Sequence, residues 1–334
     1  MSHSTLVTGA TGFLGRHLVQ QALARGDQVR ALARREDSEL RDWGAEIVLG
    51  DIRDSLAVEN ACRGMDVVHH VAGIAGIWGR AKDYYEVNTQ GTEHVLAACR
   101  SCGVRRLVYT SSPSVTFDGR PQEGIDESAP YASRWLCHYP HSKALAEEAV
   151  LAANEPGRLL TCALRPHLIW GPGDRHLVVR LIQRARRGRL RKVGDGHNLI
   201  DMVYVDNAAR AHLLAADALQ PDAVVAGRAY FISQGDPVNC WEWIDQLLAL
   251  AGEAPLRKSI SLSTAWRIGA VLEGLYRTLR IEAEPPMTRF LASQLGTSHY
   301  FDIGRARQDF GYQVEVSTEE GMRRLGAWLS GGAN

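Results

Sequence analysis

The sequence predicts an α/β fold built on a doubly wound, parallel β-sheet, and two observations support this prediction. An apolar run at residues 5–8 enters a glycine-rich turn at residues 9–15, and a helical pattern begins directly behind that turn. Further apolar runs then alternate with helical patterns as far as Arg165, which is typical of right-handed βαβ units in a parallel sheet. Because ligands of such sheets lie at the carboxyl ends of the strands, we expect the functional residues there.

The turn after the first strand carries glycines with the spacing G-x-x-G-x-x-G. Glycine permits a tight turn and a close approach of backbone N–H groups to a ligand, and the helix N-terminus behind it carries partial positive charge. An ordinary strand-to-helix turn can also contain glycine, but this position between strand and helix is the context that a dinucleotide site requires. We therefore predict that the turn binds a dinucleotide pyrophosphate. The candidate cofactor-binding residues in it are Gly9, Thr11, Gly12, Phe13, Leu14 and Gly15.

The second strand, residues 28–35, ends in Arg34 and Arg35 rather than in an acidic residue. At this distance from the glycines an acid would hold the ribose 2′-hydroxyl of NAD, whereas an arginine accepts the 2′-phosphate of NADP. Glu36 and Asp37 follow, and they would repel that phosphate if they faced it. We predict NADP(H) as the cofactor, with NAD(H) as the less favoured alternative, and Arg34 as the residue that binds the phosphate.

The third and fourth strands, residues 46–52 and 66–73, also end in residues suited to a cofactor. Asp51 could accept a hydrogen bond from the adenine amino group, or it could cap the next helix. Small residues end the fourth strand, and they would let the cofactor lie close to the backbone. The candidate cofactor-binding residues at these two strand ends are Asp51, Ile52, Ala72 and Gly73.

A fifth strand, residues 106–112, ends in Ser111 and Ser112, and a helix that opens near Tyr139 carries Lys143 one turn later. A tyrosine and a lysine four residues apart project from one face of a helix, and an ammonium group lowers the pKa of a nearby phenol. Such a tyrosine can give a proton to a carbonyl oxygen as hydride arrives, while a strand-end serine binds that oxygen. A Tyr-x-x-x-Lys pair alone is usually an exposed helix pair, but the glycine turn and the serine favour catalysis here.

A long helix is predicted over residues 83–102, before the fifth strand, and a loop over 113–138 after it. The regular alternation weakens beyond a helix that ends near residue 153 and a sixth strand at 159–165. The remaining predicted elements are a loop at 166–174, helices near 176–187, 206–217, 240–251, 263–280 and 319–329, and strands near 190–193, 202–205 and 229–233. We expect a cofactor-binding domain at 1–165 and a substrate lobe at 166–334 that interleaves with it, because parts of 195–235 return to the sheet.

Composition excludes several classes of function. The 334 residues have a formal net charge of zero, so no overall field attracts nucleic acid, and the arginine-rich stretch at 180–192 fits a solvated helix face better than a phosphate-binding edge. Six scattered cysteines and the lack of a signal segment predict reduced thiols in the cytoplasm. The single C-x-x-C at 99–102 has no second pair to complete a metal site. No apolar run is long enough to span a membrane.

Three motifs together resemble those of the extended short-chain dehydrogenase/reductases. They are the glycine turn at 8–15, Tyr-Thr-Ser-Ser-Pro-Ser-Val at 109–115 and Tyr-Pro-His-Ser-Lys at 139–143. Within that group, the third motif and Arg-Pro-His-Leu-Ile-Trp-Gly-Pro at 165–172 are similar to the 3β-hydroxysteroid dehydrogenase branch. The resemblance extends over most of the chain, from the first strand to the last predicted helix.

The resemblance implies a Rossmann-type parallel sheet of about seven strands with a smaller C-terminal substrate lobe. It assigns Tyr139 as the acid/base, Lys143 as the group that binds the nicotinamide ribose and tunes Tyr139, and Ser112 as the partner of the carbonyl oxygen. Ser111 remains an alternative to Ser112. It also implies a homodimer in which the helix at 83–102 and the helix that begins near Tyr139 pack against their copies. The cofactor-binding residues that it adds are Tyr139, Lys143 and Pro166.

The stretches at 76–79, 113–116, 170–177, 267–271, 288–291 and 309–312 are similar to bacterial 2-alkyl-3-oxoalkanoate reductases of olefin biosynthesis. They reach into the substrate lobe, where branches of the family differ most. This similarity implies that NADPH reduces a hydrophobic β-oxo acid to a 3-hydroxy acid. Residues 263–279 place apolar side chains mainly on one helical side. This pattern fits either a helix packed on its own domain or a lid over an alkyl chain or sterol, which could rest on other pathway enzymes or a membrane surface. The expected lining residues are 74–78, Trp135, Leu168, Trp170 and 266–279, with Arg289 or His167 as the partner of the carboxylate.

Three other functions compete with this one. Nucleotide-sugar epimerases and dehydratases usually place an asparagine near the sugar nucleotide where this chain has Leu168, and leucine cannot make those hydrogen bonds. A 3-hydroxysteroid or sterol-4-carboxylate dehydrogenase would use the same catalytic residues, so the sequence separates it poorly. A non-catalytic NADP-sensing regulator needs no acid/base tyrosine, so the intact set of Ser112, Tyr139 and Lys143 argues against it.

Overall fold

The computed structural model describes residues 2–331. Its strands are β1 (Ser4–Thr8), β2 (Gln28–Ala33), β3 (Glu46–Leu49), β4 (Val67–His70), β5 (Arg106–Thr110), β6 (Gln122–Ile125), β7 (Leu160–Pro166), β8 (Ile169–Trp170), β9 (Lys192–Val193), β10 (Leu199–Ile200), β11 (Val203–Tyr204), β12 (Arg228–Ile232), β13 (Val238–Asn239), β14 (Ser259–Ile260) and β15 (His299–Phe301). Its helices are α1 (Phe13–Ala24), α2 (Ser38–Asp42), α3 (Ser55–Cys62), α4 (Ala81–Tyr84), α5 (Gly91–Cys102), α6 (His138–Ala152), α7 (Val178–Arg186), α8 (Val205–Ala218), α9 (Cys240–Leu250), α10 (Leu262–Thr278), α11 (Arg289–Gly296), α12 (Gly304–Phe310) and α13 (Thr318–Ser330).

The predicted parallel sheet is confirmed. Seven strands pair in the order β12-β7-β5-β4-β1-β2-β3, and every neighbouring pair is parallel. The inner strands are buried on both faces because helices cover both faces of a sheet of this kind, and Leu6 and Val7 of β1 are both completely buried. The order reverses between β1 and β4, so the glycine turn after β1 lies at the crevice where doubly wound sheets bind their ligands.

The helix predicted over residues 83–102 has a π-helical segment inside it. The chain runs from α4 through a π-helical segment at Tyr85–Gln90 into α5, and such bulges are frequent at functional sites. Asn88 in this segment accepts a hydrogen bond from the Ile74 backbone N–H at 2.8 Å and donates to the Ile74 carbonyl at 3.0 Å and to the Ser142 Oγ at 3.0 Å. The bulge therefore ties the loop after β4 to α6.

Two parts of the C-terminal half lie against the seven-stranded sheet. β12 pairs with β7 at one edge, and α8 packs on α1. The remainder includes a small mixed sheet, ordered β13-β10-β15-β6, whose strand β6 comes from the segment predicted as a loop over 113–138. The strands of this sheet contain two to four residues each, too few to show a period-2 pattern in the sequence.

Candidate active site

The turn between β1 and α1 has no room for side chains at its glycines. Gly9 has a φ of +70°, and a Cβ there would lie 2.7 Å from the Ala72 backbone nitrogen. A Cβ on Gly15 would lie 2.1 Å from the Gly9 carbonyl oxygen. No side chain caps the N-terminus of α1, and its first turn contains no acidic residue. Free backbone N–H groups at a helix N-terminus bind phosphate, so the turn fits a dinucleotide pyrophosphate.

A cavity of 840 Å³ runs along the carboxyl edge of the sheet, from the ends of β2 and β3 to the ends of β5 and β7. It therefore connects the glycine turn with the candidate catalytic groups. All the candidate catalytic and cofactor-binding residues from the sequence line it: Gly9, Thr11, Gly12, Phe13, Leu14, Gly15, Arg34, Asp51, Ile52, Ala72, Gly73, Ser112, Tyr139, Lys143 and Pro166.

The end of the cavity beside β2 and β3 is basic. Arg34 lies there together with Arg35, its neighbour in the sequence, and with Arg53, which was not predicted because no sequence motif marks it. Arg53 donates from its backbone, Nε and Nη2 to Asp51 at 2.8–3.0 Å, and these hydrogen bonds lower the pKa of the Asp51 carboxyl. The cap of α3 is Asp54 rather than Asp51, which leaves Asp51 on the cavity wall.

The two acids after Arg35 do not line this cavity. Asp37 caps α2, accepting from the Leu40 backbone N–H, and forms an ion pair with Arg16. Glu36 forms an ion pair with Arg41 of α2. Each carboxylate faces another partner. Neither acid therefore repels a phosphate at the cavity wall, although their sequence position suggested that they could.

Tyr139 lies in the first turn of α6, and Lys143 lies one turn later. The Lys143 Nζ donates to the Thr110 carbonyl at 2.6 Å and lies 4.1 Å from the centre of the Tyr109 ring. Burial lowers the pKa of Lys143 to about 7, and the nearby Glu147 carboxylate acts in the opposite direction.

The pKa of Tyr139 differs from the sequence expectation. Burial raises it, while hydrogen bonding with Ser112 acts in the opposite direction and the Cys137 thiol adds to the rise. Lys143, whose Nζ donates to the Thr110 carbonyl, is not among the groups that shift the pKa of Tyr139 in this structure. A raised pKa keeps the Tyr139 hydroxyl protonated at neutral pH, which is the form that can donate a proton.

The geometry distinguishes the two adjacent serines. Both line the cavity. The Ser112 Oγ lies 2.9 Å from the Ser114 Oγ and accepts from the Ser114 backbone N–H at 3.2 Å, and it interacts with Tyr139. The Ser111 Oγ is buried and has no hydrogen-bond partner within residues 2–331. Ser112 is therefore the serine positioned beside the tyrosine.

The end of the cavity beyond Ser112 is largely apolar. Phe117, Leu168, Phe290 and Phe301 line it, and two buried histidines lie among them. Leu168 has a φ of +42°, a left-handed conformation that costs most L-residues about 1–2 kcal/mol and that asparagine tolerates better. Leu168 thus places an apolar side chain on the cavity wall although its backbone is strained.

Other expectations for the substrate pocket are wrong. Trp170 is completely buried in the core, against Tyr204 and Trp243. Trp78 and Trp135 line a second cavity of 620 Å³ rather than the one that contains Tyr139. The second cavity is lined by Ile77, Trp78, Gly79, Tyr84, Tyr85, Trp135, Leu136, Cys137, His138, His141, Glu273, Arg277 and Arg289.

The apolar side of α10 faces solvent instead of a pocket, and Val271 is 70% exposed. The buried side consists of Ala265, Gly269 and Glu273. Arg289, one of the two expected partners for a substrate carboxylate, donates to Glu273 from its backbone, Nε and Nη2 at 2.7–3.0 Å. Its charge is thereby neutralised, which removes it as the partner of an acid in the main cavity.

Within the described residues, no helix is both long and apolar enough to cross a bilayer. The six cysteines are all free thiols. In residues 2–331 there is no group of three or more His, Cys, Asp or Glu side chains arranged to hold a metal ion.

Comparison with known proteins places this geometry in a family. Residues 6–264 match the 3-beta hydroxysteroid dehydrogenase/isomerase family. The chain is 51% identical to the 2-alkyl-3-oxoalkanoate reductase of Stenotrophomonas maltophilia, over 96% of this chain and 98% of that protein. It is 34% identical to the mouse decarboxylating sterol-4-alpha-carboxylate 3-dehydrogenase, over 95% and 88% of the two chains.

Solved structures show the same fold. The UDP-glucose 4-epimerase of Thermus thermophilus, solved in complex with NAD, superposes with a TM-score of 0.73 at 26% identity, over 99% of this chain and 100% of that chain. These matches agree with the glycine turn, the cavity and the set of Ser112, Tyr139 and Lys143, and together they assign the chain to a family. The chain belongs to the 3-beta hydroxysteroid dehydrogenase/isomerase family of extended short-chain dehydrogenase/reductases and is an NAD(P)-dependent oxidoreductase that acts on alcohol and keto groups.

Proposed function

We propose that this protein is an NADP(H)-dependent reductase that converts a 2-alkyl-3-oxoalkanoate into a 2-alkyl-3-hydroxyalkanoate. The observation that carries the proposal is one continuous cavity, which has Ser112, Tyr139 and Lys143 on its wall and phenylalanine and leucine side chains beyond them. A keto group bound beside Tyr139 would thus have an apolar chamber for its alkyl substituents.

The names of the relatives support the substrate class. The bacterial relatives are named for a 3-oxo acid and the mammalian ones for a 3-dehydrogenase of a sterol 4-carboxylate. In both compounds the reacting carbon is next to a carbon that bears a carboxyl group. The shared feature is therefore a hydrophobic body with an acid two bonds from the keto carbon.

The chain's own groups have distinct roles in this proposal. Tyr139 donates its hydroxyl proton to the carbonyl oxygen, and Ser112 hydrogen-bonds to that oxygen and orients it. Lys143 holds the nicotinamide ribose, and its positive charge stabilises the phenolate that the proton transfer leaves. A reduced nicotinamide bound in the cavity supplies the hydride that reduces the ketone carbon.

The basic end of the cavity supports NADP(H) rather than NAD(H). Arg34, Arg35 and Arg53 surround the place where β2 ends, and Glu36 and Asp37 have other partners. An arginine binds phosphate oxygens through two parallel hydrogen bonds, so the proposed ligand of the 2′-phosphate is Arg34.

Replacing Arg34 by alanine should raise the KM for NADPH by about 10- to 100-fold, since a hydrogen bond to a charged group contributes about 1.5–3 kcal/mol. The KM for NADH should change little, because NADH has no 2′-phosphate. Steady-state kinetics with both cofactors measures the two effects. The matched control is Arg63→Ala, which removes an exposed arginine that pairs with Glu59 of α3 and lines neither cavity. Equal increases in the KM for NADPH and for NADH would show that Arg34 does not bind the phosphate.

A second candidate function is that of a sterol-4-carboxylate 3-dehydrogenase, which the 34% identity to the mouse enzyme supports. It needs the same three catalytic residues. An assay with β-oxo acids, 3-hydroxysteroids and UDP-sugars separates it from the first candidate and from a nucleotide-sugar enzyme. We favour the oxo acid because the identity to the bacterial reductases is much higher.

We propose residues 1–165 as the cofactor-binding domain and 166–334 as the substrate lobe, with α8 and β12 returning to the sheet. We also propose that the protein forms a homodimer through α5 and α6. The exposed apolar side of α10 is the proposed surface for pathway enzymes or a membrane.

The dimer predicts that the wild-type protein sediments as a dimer at micromolar concentration. Ala97 is exposed on α5, and Ala97→Arg should yield monomers, because it puts an unpaired charge into the proposed interface. Sedimentation velocity measures the assembly of the wild-type protein and of the variant. Ala152→Arg, at the end of α6, is a second variant in the interface. A wild-type monomer at this concentration would contradict the proposed assembly.

A further inference from the structure

Two buried histidines line the apolar end of the main cavity. His167 follows β7 and is 7% exposed, and His299 lies in β15 and is 2% exposed. Their rings meet edge to face, with centroids 4.9 Å apart, and the Phe301 ring lies 5.0 Å from His167. Neither histidine contributes to the proton transfer proposed above, so their presence in an apolar chamber needs another explanation.

Each ring has one nitrogen without a partner. The His299 Nε2 lies 2.6 Å from the Gln294 carbonyl oxygen, and the His167 ring is hydrogen-bonded to the Asp201 backbone. A carbonyl oxygen can only accept, so the bonded nitrogen carries the hydrogen and the other nitrogen of a neutral ring is an acceptor. The Nδ1 atoms of both rings are buried without a hydrogen-bond partner within residues 2–331, and such groups usually await a ligand or an ordered water.

His167 lies close to the proposed reaction centre. β5 and β7 are neighbouring parallel strands with Thr110 opposite Leu164, so Ser112 and His167 both follow the carboxyl ends of adjacent strands. Neighbouring strands are about 4.8 Å apart. A carboxyl group two bonds from a keto carbon held at Ser112 would therefore lie near this histidine.

This end of the cavity has no fixed cation to receive an acid. The arginines that line the cavity lie at the opposite edge of the sheet, after β2 and β3. Lys143 binds the Thr110 carbonyl, and Arg289 lines the other cavity and binds Glu273. Among the described lining residues, His167 and His299 are the buried groups at this end that can become positively charged, and His176, which also lines the cavity, is exposed.

We propose that His167 and His299 form the acid-binding subsite, which takes the substrate carboxylate together with one proton from solvent. This inference rests on the proposed function, because it requires a β-oxo acid. The proton adds to an Nδ1 atom, and the resulting imidazolium donates to a carboxylate oxygen. The only bond formed is the N–H bond of the imidazolium, and no bond of the substrate forms or breaks.

The surrounding groups set the pH dependence. Burial lowers the pKa of His299 to about 4 and lowers that of His167 well below its usual range, with the neighbouring imidazole adding to the effect on His167. Asp201, whose pKa burial raises to about 6, is bonded to Ser233 and the Met202 backbone. Both rings are therefore neutral in the empty site at pH 7, and a bound carboxylate raises the pKa of the ring that it contacts. Binding then takes up a proton, and affinity for the acid falls as the pH rises.

The test is calorimetry of the protein with NADPH and the product 2-alkyl-3-hydroxy acid, a pair that cannot react because both are reduced. Titrations in two buffers of different ionisation enthalpy give the number of protons taken up. We expect close to one proton per acid at about pH 7 and an affinity that falls up to tenfold per pH unit. The methyl ester of the same acid should bind with no proton uptake and no pH dependence.

Two variants keep the structural hydrogen bonds. In His167→Gln and His299→Gln the amide can still donate to the Asp201 and Gln294 carbonyls, but it cannot be protonated. Proton uptake should disappear in one variant and fall in the other, and affinity for the acid should drop at least tenfold while affinity for the ester is retained. His197→Gln, at an exposed histidine outside both cavities, should behave as the wild type.

Several results would overturn the subsite. If the wild-type protein binds and turns over the oxo acid without proton uptake, or if the glutamine variants weaken acid and ester equally, the two rings hold only water. In that case the proposed function stands. If the wild-type protein does not turn over oxo acids but oxidises a neutral 3-hydroxysteroid, the proposed function fails and the acid subsite fails with it.

Discussion

Replacing Tyr139 by phenylalanine is expected to lower kcat by about 10²- to 10⁴-fold, the range that general acid catalysis contributes. The variant lacks only the hydroxyl group that we propose as the proton donor to the carbonyl oxygen. The ring still fills its place at the start of α6, so the Kd for NADP(H) should stay within a factor of about two of the wild-type value. Turnover of the oxo acid and fluorescence titration with NADPH measure the two quantities.

The matched control is Tyr312→Phe. Its hydroxyl is buried and donates to the Ser233 carbonyl at 3.0 Å, and Tyr312 does not line the main cavity. The control should lose about 1 kcal/mol of stability, the usual contribution of one hydrogen bond, without losing turnover. Near-normal turnover in Tyr139→Phe would mean that another group delivers the proton.

The candidate active site could be predicted from the sequence because its residues belong to motifs with fixed spacing at strand ends. The parallel sheet brings the ends of β1, β4 and β5 to one edge, so residues from 9 to 143 meet in one cavity. The alternation of strands and helices already implies a parallel sheet, and in a parallel sheet the carboxyl ends of these strands lie at one edge.

The residues that were missed lie on elements with no sequence signal. His299 belongs to β15, a strand of three residues, and its ring reaches the cavity only because β15 pairs with β6 and β10. Arg53 approaches Asp51 through a turn that no motif marks. Pairings between distant short segments arise from tertiary packing, which a local pattern does not record.

The prediction that the apolar side of α10 lines the substrate pocket is wrong for a different reason. The helical pattern correctly gathers apolar residues on one side, but it does not say which side is buried. Gly269 lets α10 approach α11 so closely that a Cβ there would lie 2.6 Å from the Thr288 carbonyl carbon. Glu273 joins the buried side because Arg289 and Arg277 neutralise it. Small residues and an ion pair thus decide the packing, and the apolar side remains exposed.

The second large expected effect is that of the length of the substrate's alkyl chain on kcat/KM. Phe117, Leu168, Phe290 and Phe301 line the chamber beyond Ser112, and each methylene buried there contributes about 0.8 kcal/mol, or a factor of about four in kcat/KM. Four additional methylenes should therefore raise kcat/KM by about 200-fold, until the chamber is full. Phe290→Ala should reduce this dependence, because it removes part of the wall that the chain contacts.

The central claim is that the protein reduces a hydrophobic β-oxo acid, and the most direct measurement is kcat/KM with NADPH across 2-alkyl-3-oxo acids of increasing chain length. A 3-hydroxysteroid is assayed beside them with NADP⁺. We expect a rise of about fourfold per methylene and a preference for the oxo acids. A kcat/KM that does not change with chain length, or a far higher value for the steroid, would contradict it.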